Sequence, residues 1–188
     1  MKLIIASNNR HKIKEIKEIL SDKFDEIVSL SEANINHETV EDGKTFLENA
    51  YKKAREIAEI SGNAALADDS GICVDALFGA PGIYSARFSG GTDEDNNKLL
   101  LEKLDGKAER GAHYTCAVSL VYPDGKHVFA EGYMYGSITD SPRGTHGFGY
   151  DPLFVPEGSE RTVAEMSDEE KNAISHRSKA LALLLTKI

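Results

Sequence analysis

Apolar residues along the chain follow the two periods that backbone geometry allows, two for strands and 3.6 for helices. Leu3 to Ala6 is a continuous apolar run that meets an abrupt polar turn, the pattern of a short buried strand. Ile13, Ile16, Ile19 and Leu20 then recur at three- and four-residue steps, which puts them on one helical face. Asp25 to Leu30 predicts a second strand. Thr45 to Ser61 carries a clear helical stripe through Phe46, Leu47, Ala50, Ala54, Ile57 and Ala58, and Gly62 supplies its stop. Ala64 to Ala67 predicts a strand that ends in a polar turn, Asp68-Asp69-Ser70-Gly71, with Ile72 to Val74 resuming it.

Gly79-Ala80-Pro81-Gly82 reads as a loop. Thr92 is placed to cap a helix running to Leu104, with Asp93, Glu94 and Asp95 favourable in its first turn. From Ala112 to Tyr122 the pattern alternates, with Tyr114, Cys116, Val118 and Leu120 on one face. Pro123-Asp124-Gly125 turns the chain, and Lys126 to Tyr135 returns as a hairpin partner. Ser167-Asp168-Glu169-Glu170 is a capping box that starts a helix, and Ala180 to Ile188 continues the helical pattern. There is no repeat or low-complexity tract. Strands alternating with helices, followed by a hairpin, predict an α/β fold with a mixed sheet.

Composition narrows the function classes. The 188 residues suit a single domain spanning residues 1–188, long enough to bury roughly 70% of its unfolded surface without staples. Lys and Arg number 22 against 31 Asp and Glu, so the net charge of −9 opposes counterion-driven binding to nucleic acid. It leaves room for a small phosphorylated ligand, because a divalent cation can bring positive charge to a carboxylate-lined pocket. Cys73 and Cys116 form no C-x-x-C pair, which points to small core residues rather than a zinc site or a disulfide. With no apolar run near the length of a membrane span and no signal-peptide pattern, a cytoplasmic protein without a membrane partner is expected.

Four segments carry chemistry. Ser7-Asn8-Asn9-Arg10-His11-Lys12 lies between a strand and a helix, where backbone N–H groups and cationic side chains attract anions. The competing reading is a turn with an Asn cap and solvated cations. Asp68-Asp69-Ser70-Gly71, with Glu41-Asp42 upstream, offers oxygen ligands that suit Mg²⁺, since adjacent carboxylates repel unless a cation or donors hold them. An Asx-turn is the alternative there. Arg143 to Pro152 contains Gly144, Gly147 and Gly149, so its backbone can approach a ligand closely while Phe148 offers a face for stacking a base. A loop anchored by a buried aromatic would explain part of that density. Lys171 and Ser175, four residues apart, would share a helix face, with His176 and Arg177 following. Solvated helix cations are the bland counterpart.

In order, these segments resemble the inosine triphosphate pyrophosphatase family, whose members hydrolyse non-standard purine nucleoside triphosphates. The matching stretches are Ala6-Ser7-Asn8-Asn9 through Lys12, Thr45-Phe46-Leu47-Glu48-Asn49-Ala50 and Ala67-Asp68-Asp69-Ser70-Gly71. Further on come Gly79-Ala80-Pro81-Gly82-Ile83-Tyr84-Ser85-Ala86-Arg87, Gly147-Phe148-Gly149-Tyr150-Asp151-Pro152 and Ser175-His176-Arg177. The resemblance covers nearly the whole chain.

It implies an elongated two-lobed α/β fold around a long mixed sheet flanked by helices, a homodimer, and Mg²⁺-dependent hydrolysis, with Mn²⁺ as a substitute. ITP, dITP, XTP and dXTP would yield the monophosphate and pyrophosphate, clearing deaminated purines from the nucleotide pool. By motif, Ser7, Asn8, Asn9, Arg10, His11 and Lys12 would hold the triphosphate, and Glu41 and Asp69 would bind the metal. Asp69 would also orient or deprotonate the attacking water. Ser70, Phe148, Gly149, Tyr150, Asp151, Lys171, His176 and Arg177 would contact substrate, with Phe148 stacking on the base. Asp68 and His146 receive no assigned role.

Elementary chemistry agrees. In-line attack at the α-phosphorus needs charge neutralisation and an oriented water, and little else. A pocket of N–H donors, Arg177 among them, would accept a 6-oxo purine and oppose the amino group of adenine. The rivals are a Maf-like pyrophosphatase acting on pyrimidine or modified nucleotides, and a non-catalytic nucleotide sensor.

Overall fold

The strand β1 (Lys2–Ile5) is apolar on both faces because both faces are covered, as in the parallel sheets of α/β proteins. The computed structural model describes residues 2–188. After β1 come α1 (Arg10–Leu20), β2 (Glu26–Ser29), α2 (Phe46–Ser61), β3 (Ala64–Val74) and α3 (Asp93–Lys103). They are followed by β4 (Gly111–Val121), β5 (His127–Ile138), β6 (Phe154–Pro156), α4 (Asp168–Ile174) and α5 (His176–Leu185). The six strands form one mixed sheet in the order β2-β1-β3-β4-β5-β6. β1 runs parallel to β2 and β3, whereas β5 and β6 are antiparallel. The expected α/β class and mixed sheet are therefore present.

Two compact units divide the chain. The first takes residues 1–69, 116–132 and 177–188. Its strands alternate strictly. Leu3, Ile5, Ala64 and Leu66 face one core with Ile16 and Leu20 of α1 and Leu181 and Leu184 of α5. Ile4, Ala6, Ala65 and Ala67 face another core with Ala54, Ile57 and Ala58 of α2. The second unit takes residues 70–115 and 133–176 and has its own core. There Ile72, Val74, Tyr114, Met134 and Ile138 pack with Leu100 and Leu104 and with Tyr150, Leu153 and Phe154.

Local chemistry explains the helix ends. Thr45 accepts the Glu48 N–H at the start of α2, and Gly62 closes that helix in the left-handed region, at φ 64°. Thr92 with Asp95 and Ser167 with Glu170 form complete capping boxes. The β4–β5 turn closes with Tyr122 N–H donating to the Lys126 carbonyl, and the hairpin's far end with Ile138 N–H donating to Arg110.

Two expectations are corrected. β3 does not turn at Asp68–Gly71: it runs unbroken from Ala64 to Val74, so the Asx-turn reading falls away. A polar stretch continues a strand where its ladder and packing on both sides reward extended backbone more than local turn bonds do. The C-terminal helical pattern is also two helices rather than one. Ser175 lies between them in extended conformation, at φ −66° and ψ 152°, so Lys171 and Ser175 do not share a helix face.

Candidate active site

Because β3 stays extended, Asp68 and Asp69 point to opposite faces of the strand. They do not repel each other across a turn, as the sequence had implied. Each meets a different set of partners within the first unit.

Asp68 lies on the α1/α5 side. Lys12 Nζ is 3.1 Å from its Oδ2, and the Arg177 guanidinium donates to the same oxygen through Nε at 3.3 Å and Nη2 at 3.0 Å. Arg177 also donates from Nη1 to Glu15, a buried carboxylate on α1. Burial would raise the Asp68 carboxyl, but Lys12 and Arg177, with Lys53 beyond them, outweigh it and hold the group well below the carboxylate range. Burial opposes the Arg177 charge too, and Asp68 and Glu15 override it. Asp68 Oδ1 is buried with no hydrogen-bond partner among the described residues. The Cys116 thiol beneath, 3.9 Å from Asp68 Oδ2, is pushed up to about 12 by burial first and Asp68 second, so it behaves as an inert core residue.

Asp69 lies on the α2 side. Asn49 donates from Nδ2 to its Oδ2 at 3.0 Å, and Lys53 Nζ stands 3.8 Å from its Oδ1. The same ammonium is 2.9 Å from Glu41 Oε1. Burial is the largest influence on the Asp69 carboxyl; Lys53, Lys12 and Asn49 counter it incompletely, Glu41 adds to it, and the carboxyl ends up raised. Burial also disfavours the Lys53 charge, but Asp69, Asp68 and Glu41 outweigh it and raise that group as well. A raised, buried carboxylate beside a second one is a place where positive charge is in demand.

The donor set fits a hard divalent cation. Among the described residues no group of three or more His, Cys, Asp or Glu side chains converges as a metal cage. Glu41 and Asp69 would offer two carboxylate oxygens, the usual protein share for Mg²⁺, which keeps waters and takes substrate phosphate for the rest. The Lys53 ammonium lies between them, 2.9 Å from Glu41 and 3.8 Å from Asp69.

The segment Ser7–Lys12 forms the Asn-capped turn that one of its two readings expected. Asn9 caps α1, accepting the N–H groups of His11 at 3.0 Å and Lys12 at 3.1 Å, while Ser7 Oγ accepts from Asn9 N–H. Asn8, Asn9, Arg10 and His11 are exposed, and Ser7 and Lys12 are half-buried. The turn is capped, and it still presents polar side chains to solvent.

In the second unit, Asp151 organises the glycine-rich loop. It accepts from Phe148 N–H at 3.0 Å and Lys171 Nζ at 2.9 Å through Oδ2, and from the Tyr114 hydroxyl at 3.2 Å through Oδ1. Gly147 has φ 75° and would place a Cβ 2.2 Å from Asp151 Oδ2, so no other residue fits there. Gly149 is bracketed by α3: its N–H donates to Asp93 at 2.8 Å and its carbonyl accepts from Asn97 at 3.0 Å. The Tyr150 hydroxyl donates to the Ser85 carbonyl at 2.7 Å. Phe148 is half-buried with the Lys171 ammonium 4.6 Å from its ring centroid. His176 stacks on Tyr114 with centroids 4.6 Å apart. Ser70 is half-buried on β3, next to Asp69 in the chain.

Three of the candidate substrate contacts, Tyr150, Asp151 and Arg177, are buried. Arg177 is 1% exposed, and its guanidinium donates to Asp68 and Glu15. Tyr150 and Asp151 anchor the loop through the Ser85 carbonyl and the Lys171 ammonium. Lys171 is buried as well, which excludes the solvated-cation reading for it and for Arg177.

The Ham1 family model matches residues 3–187. This chain belongs to the Ham1 family. Its relatives include proteins named dITP/XTP pyrophosphatase, as the sequence resemblance implied. One from Desulfotalea psychrophila is 52% identical, covering 96% of this chain and 82% of the relative. Another from Clostridium perfringens is 51% identical, covering 97% and 95%. The solved Ham1 protein of Staphylococcus aureus is 40% identical with a TM-score of 0.88, covering 99% of this chain and 97% of its own.

Within this Ham1-family chain, sequence reasoning missed Glu15, Asn49, Lys53, Asp93, Asn97 and Tyr114. A signal existed for two of them. Asn49 and Lys53 are four apart on α2, beside the stripe Ala50, Ala54 and Ile57, and polar residues that border a buried stripe are candidates for a charged neighbour. Glu15 and Tyr114 find their partners through long-range packing, which no local pattern announces.

Proposed function

We propose that this protein hydrolyses ITP, dITP, XTP and dXTP to the monophosphate and pyrophosphate with Mg²⁺ bound by Glu41 and Asp69. The observation that carries the reading is the pairing of those carboxylates around Lys53, with Asp69 raised by burial, in a chain about half identical to proteins named dITP/XTP pyrophosphatase. Mg²⁺, or Mn²⁺ in its place, supplies charge neutralisation at the phosphates when bound.

The chain's own groups do the rest. Asp69 orients the attacking water and accepts its proton, a task suited to a carboxylate whose basicity burial has raised. Ser7, Asn8, Arg10, His11 and Lys12 hold phosphate oxygens, and Asn9 keeps that turn in shape. Ser70 touches substrate beside Asp69. Phe148 stacks on the base, with Gly149, Lys171 and His176 shaping its surroundings. A 6-oxo purine offers N–H donors, such as Arg177 and backbone amides, an acceptor where adenine offers a donor, and an unpaired buried polar group costs about 1–3 kcal/mol. By family resemblance the active species is a cytoplasmic homodimer. No helix among the described residues is long and apolar enough to cross a membrane.

The test is to incubate purified protein and Mg²⁺ with ITP, XTP, GTP, ATP and dTTP and resolve all products. IMP and pyrophosphate from ITP, with ATP nearly untouched, is the expected result. IDP with orthophosphate would overturn the cleavage site. Pyrophosphate released mainly from dTTP would transfer the substrate to the Maf-like class, and binding of ITP without turnover would indicate a sensor.

A further inference from the structure

Residues 35–44 contain no helix or strand, yet they carry Glu41. What holds them is α2. Lys53 pairs with Glu41 at 2.9 Å and Lys52 with Asp42 at 2.7 Å. Glu48 accepts the Lys44 N–H at 2.6 Å. Glu56 accepts from Thr39 at 2.6 Å and lies 2.7 Å from His37 Nε2. These are ion pairs and bonds at or near the surface, each worth little by itself.

One contact differs in kind. Asn49, fully buried, accepts the Gly43 N–H at 2.8 Å through Oδ1 and donates to Asp69 Oδ2 at 3.0 Å through Nδ2. Its amide orientation is fixed by chemistry, since an N–H demands the oxygen and a carboxylate demands the NH₂ group. The fit is close: a Cβ at Gly43 would lie 2.6 Å from Asn49 Oδ1 and 2.9 Å from Glu48 Cβ, so glycine is required there. Burying an amide in the apolar interior is costly unless both ends are satisfied, and here both are. One end fixes a carboxylate on β3; the other fixes the backbone two residues beyond Glu41.

We infer that Asn49 is a positioning residue that sets the Glu41 segment and the Asp69 carboxylate in register with each other. The inference rests on the metal and water roles proposed for that pair. Asn49 touches neither substrate nor metal. It acts by fixing two ligands that come from different parts of the chain, so that a cation meets both without first ordering the segment.

Three variants and three readouts test this. Asn49→Leu removes both bonds at similar volume. Gly43→Ala forces the same contact apart from the other side. Asn49→Asp keeps the acceptor for Gly43 and loses the donor to Asp69. The readouts are hydrogen exchange at the Gly43 amide, Mn²⁺ affinity of the substrate-free protein by calorimetry, and kcat and KM for ITP.

Asn49→Leu should speed exchange at Gly43, and weaken Mn²⁺ binding and kcat on the order of 10–100-fold, with KM moving far less. Gly43→Ala should shift Mn²⁺ affinity in the same direction and add little on top of Asn49→Leu, because both break one contact. Asn49→Asp should retain slow exchange at Gly43 while kcat stays low.

A folded Asn49→Leu with unchanged Mn²⁺ affinity and kcat, and merely a lower melting temperature, would overturn the inference. Should that variant fail to fold, wild-type Mn²⁺ affinity in Gly43→Ala or wild-type kcat in Asn49→Asp would overturn it equally. A wild-type protein that binds no Mn²⁺ and leaves ITP intact would instead sink the functional reading, whatever Gly43 exchange shows.

Discussion

On one face of β3, Asp68 meets Lys12 at 3.1 Å and Arg177 at 3.0 Å; on the other, Asp69 meets the Asn49 amide at 3.0 Å and Lys53 at 3.8 Å. Both carboxylates are buried, and both would be raised by burial acting by itself. The difference lies in how close the cations come. At Asp68 the compensation is complete enough to keep the group ionised far into acid, as in a structural ion network. At Asp69 burial wins, and the carboxylate stays short of positive charge. A fold tolerates such a deficit where something outside the chain makes it good, and the proposed metal ion and reacting water would do so. One strand thus presents a fully ion-paired carboxylate and the proposed reactive one in consecutive positions, and the pleat keeps them apart.

The largest expected effect follows from removing the reactive one. Asp69→Asn should lower turnover of ITP on the order of 10²–10⁴-fold, the range for a general base, with near-normal turnover excluding that role. Next comes the structural one. Asp68→Asn leaves the Arg177 and Lys12 charges against Glu15, and should cost about 3–5 kcal/mol in urea unfolding, as breaking one partner of a buried network does.

The pH dependence of stability should separate the two faces. Asp68 is held low in the folded protein, so it adds stability above the ordinary Asp pKa of about 3.9 and loses it as pH falls below that value. The deficit of Asp68→Asn should therefore shrink in acid. Asp69 is raised, so its ionisation erodes stability as pH rises from about 4 toward its folded value. Any advantage of Asp69→Asn should grow in that direction. Urea midpoints of both variants between pH 3 and 7 would show this, and parallel curves would contradict it. The smallest effect is on the helix that carries Asn49 and Lys53. Thr45→Ala removes its cap and should cost ~1 kcal/mol in the same unfolding experiment.

Much of this frame was legible in the sequence because it is local. Thr45, Thr92 and Ser167 mark helix starts by hydrogen bonds within four residues, and Gly62 marks a stop through a backbone angle that side chains disfavour. Pro123 to Gly125 signals the hairpin by the same logic. The errors arose where distant packing overrode local preference. Asp68-Asp69-Ser70-Gly71 has turn composition, yet β3, paired with β4 in the sheet, runs through it unbroken. Arg177 reads by local pattern as a solvated helix cation, yet α1 and β3 close around it with Glu15 and Asp68. Spacing could name the two aspartates as a pair; it could not show that they face away from each other. That fact places Arg177 beside Asp68 and brings Asn49 and Lys53 to the Asp69 side.

The most direct test of the contrast is the denaturant midpoint of metal-free Asp69→Asn against the wild type at pH 7, with EDTA present. If Asp69 is a carboxylate held at a cost to the fold, the variant should be more stable by ~0.5–2 kcal/mol with an unchanged m-value. A midpoint lowered to the extent seen for Asp68→Asn would mean that Asp69 is a second structural anion, and the division between the two faces of β3 would be wrong.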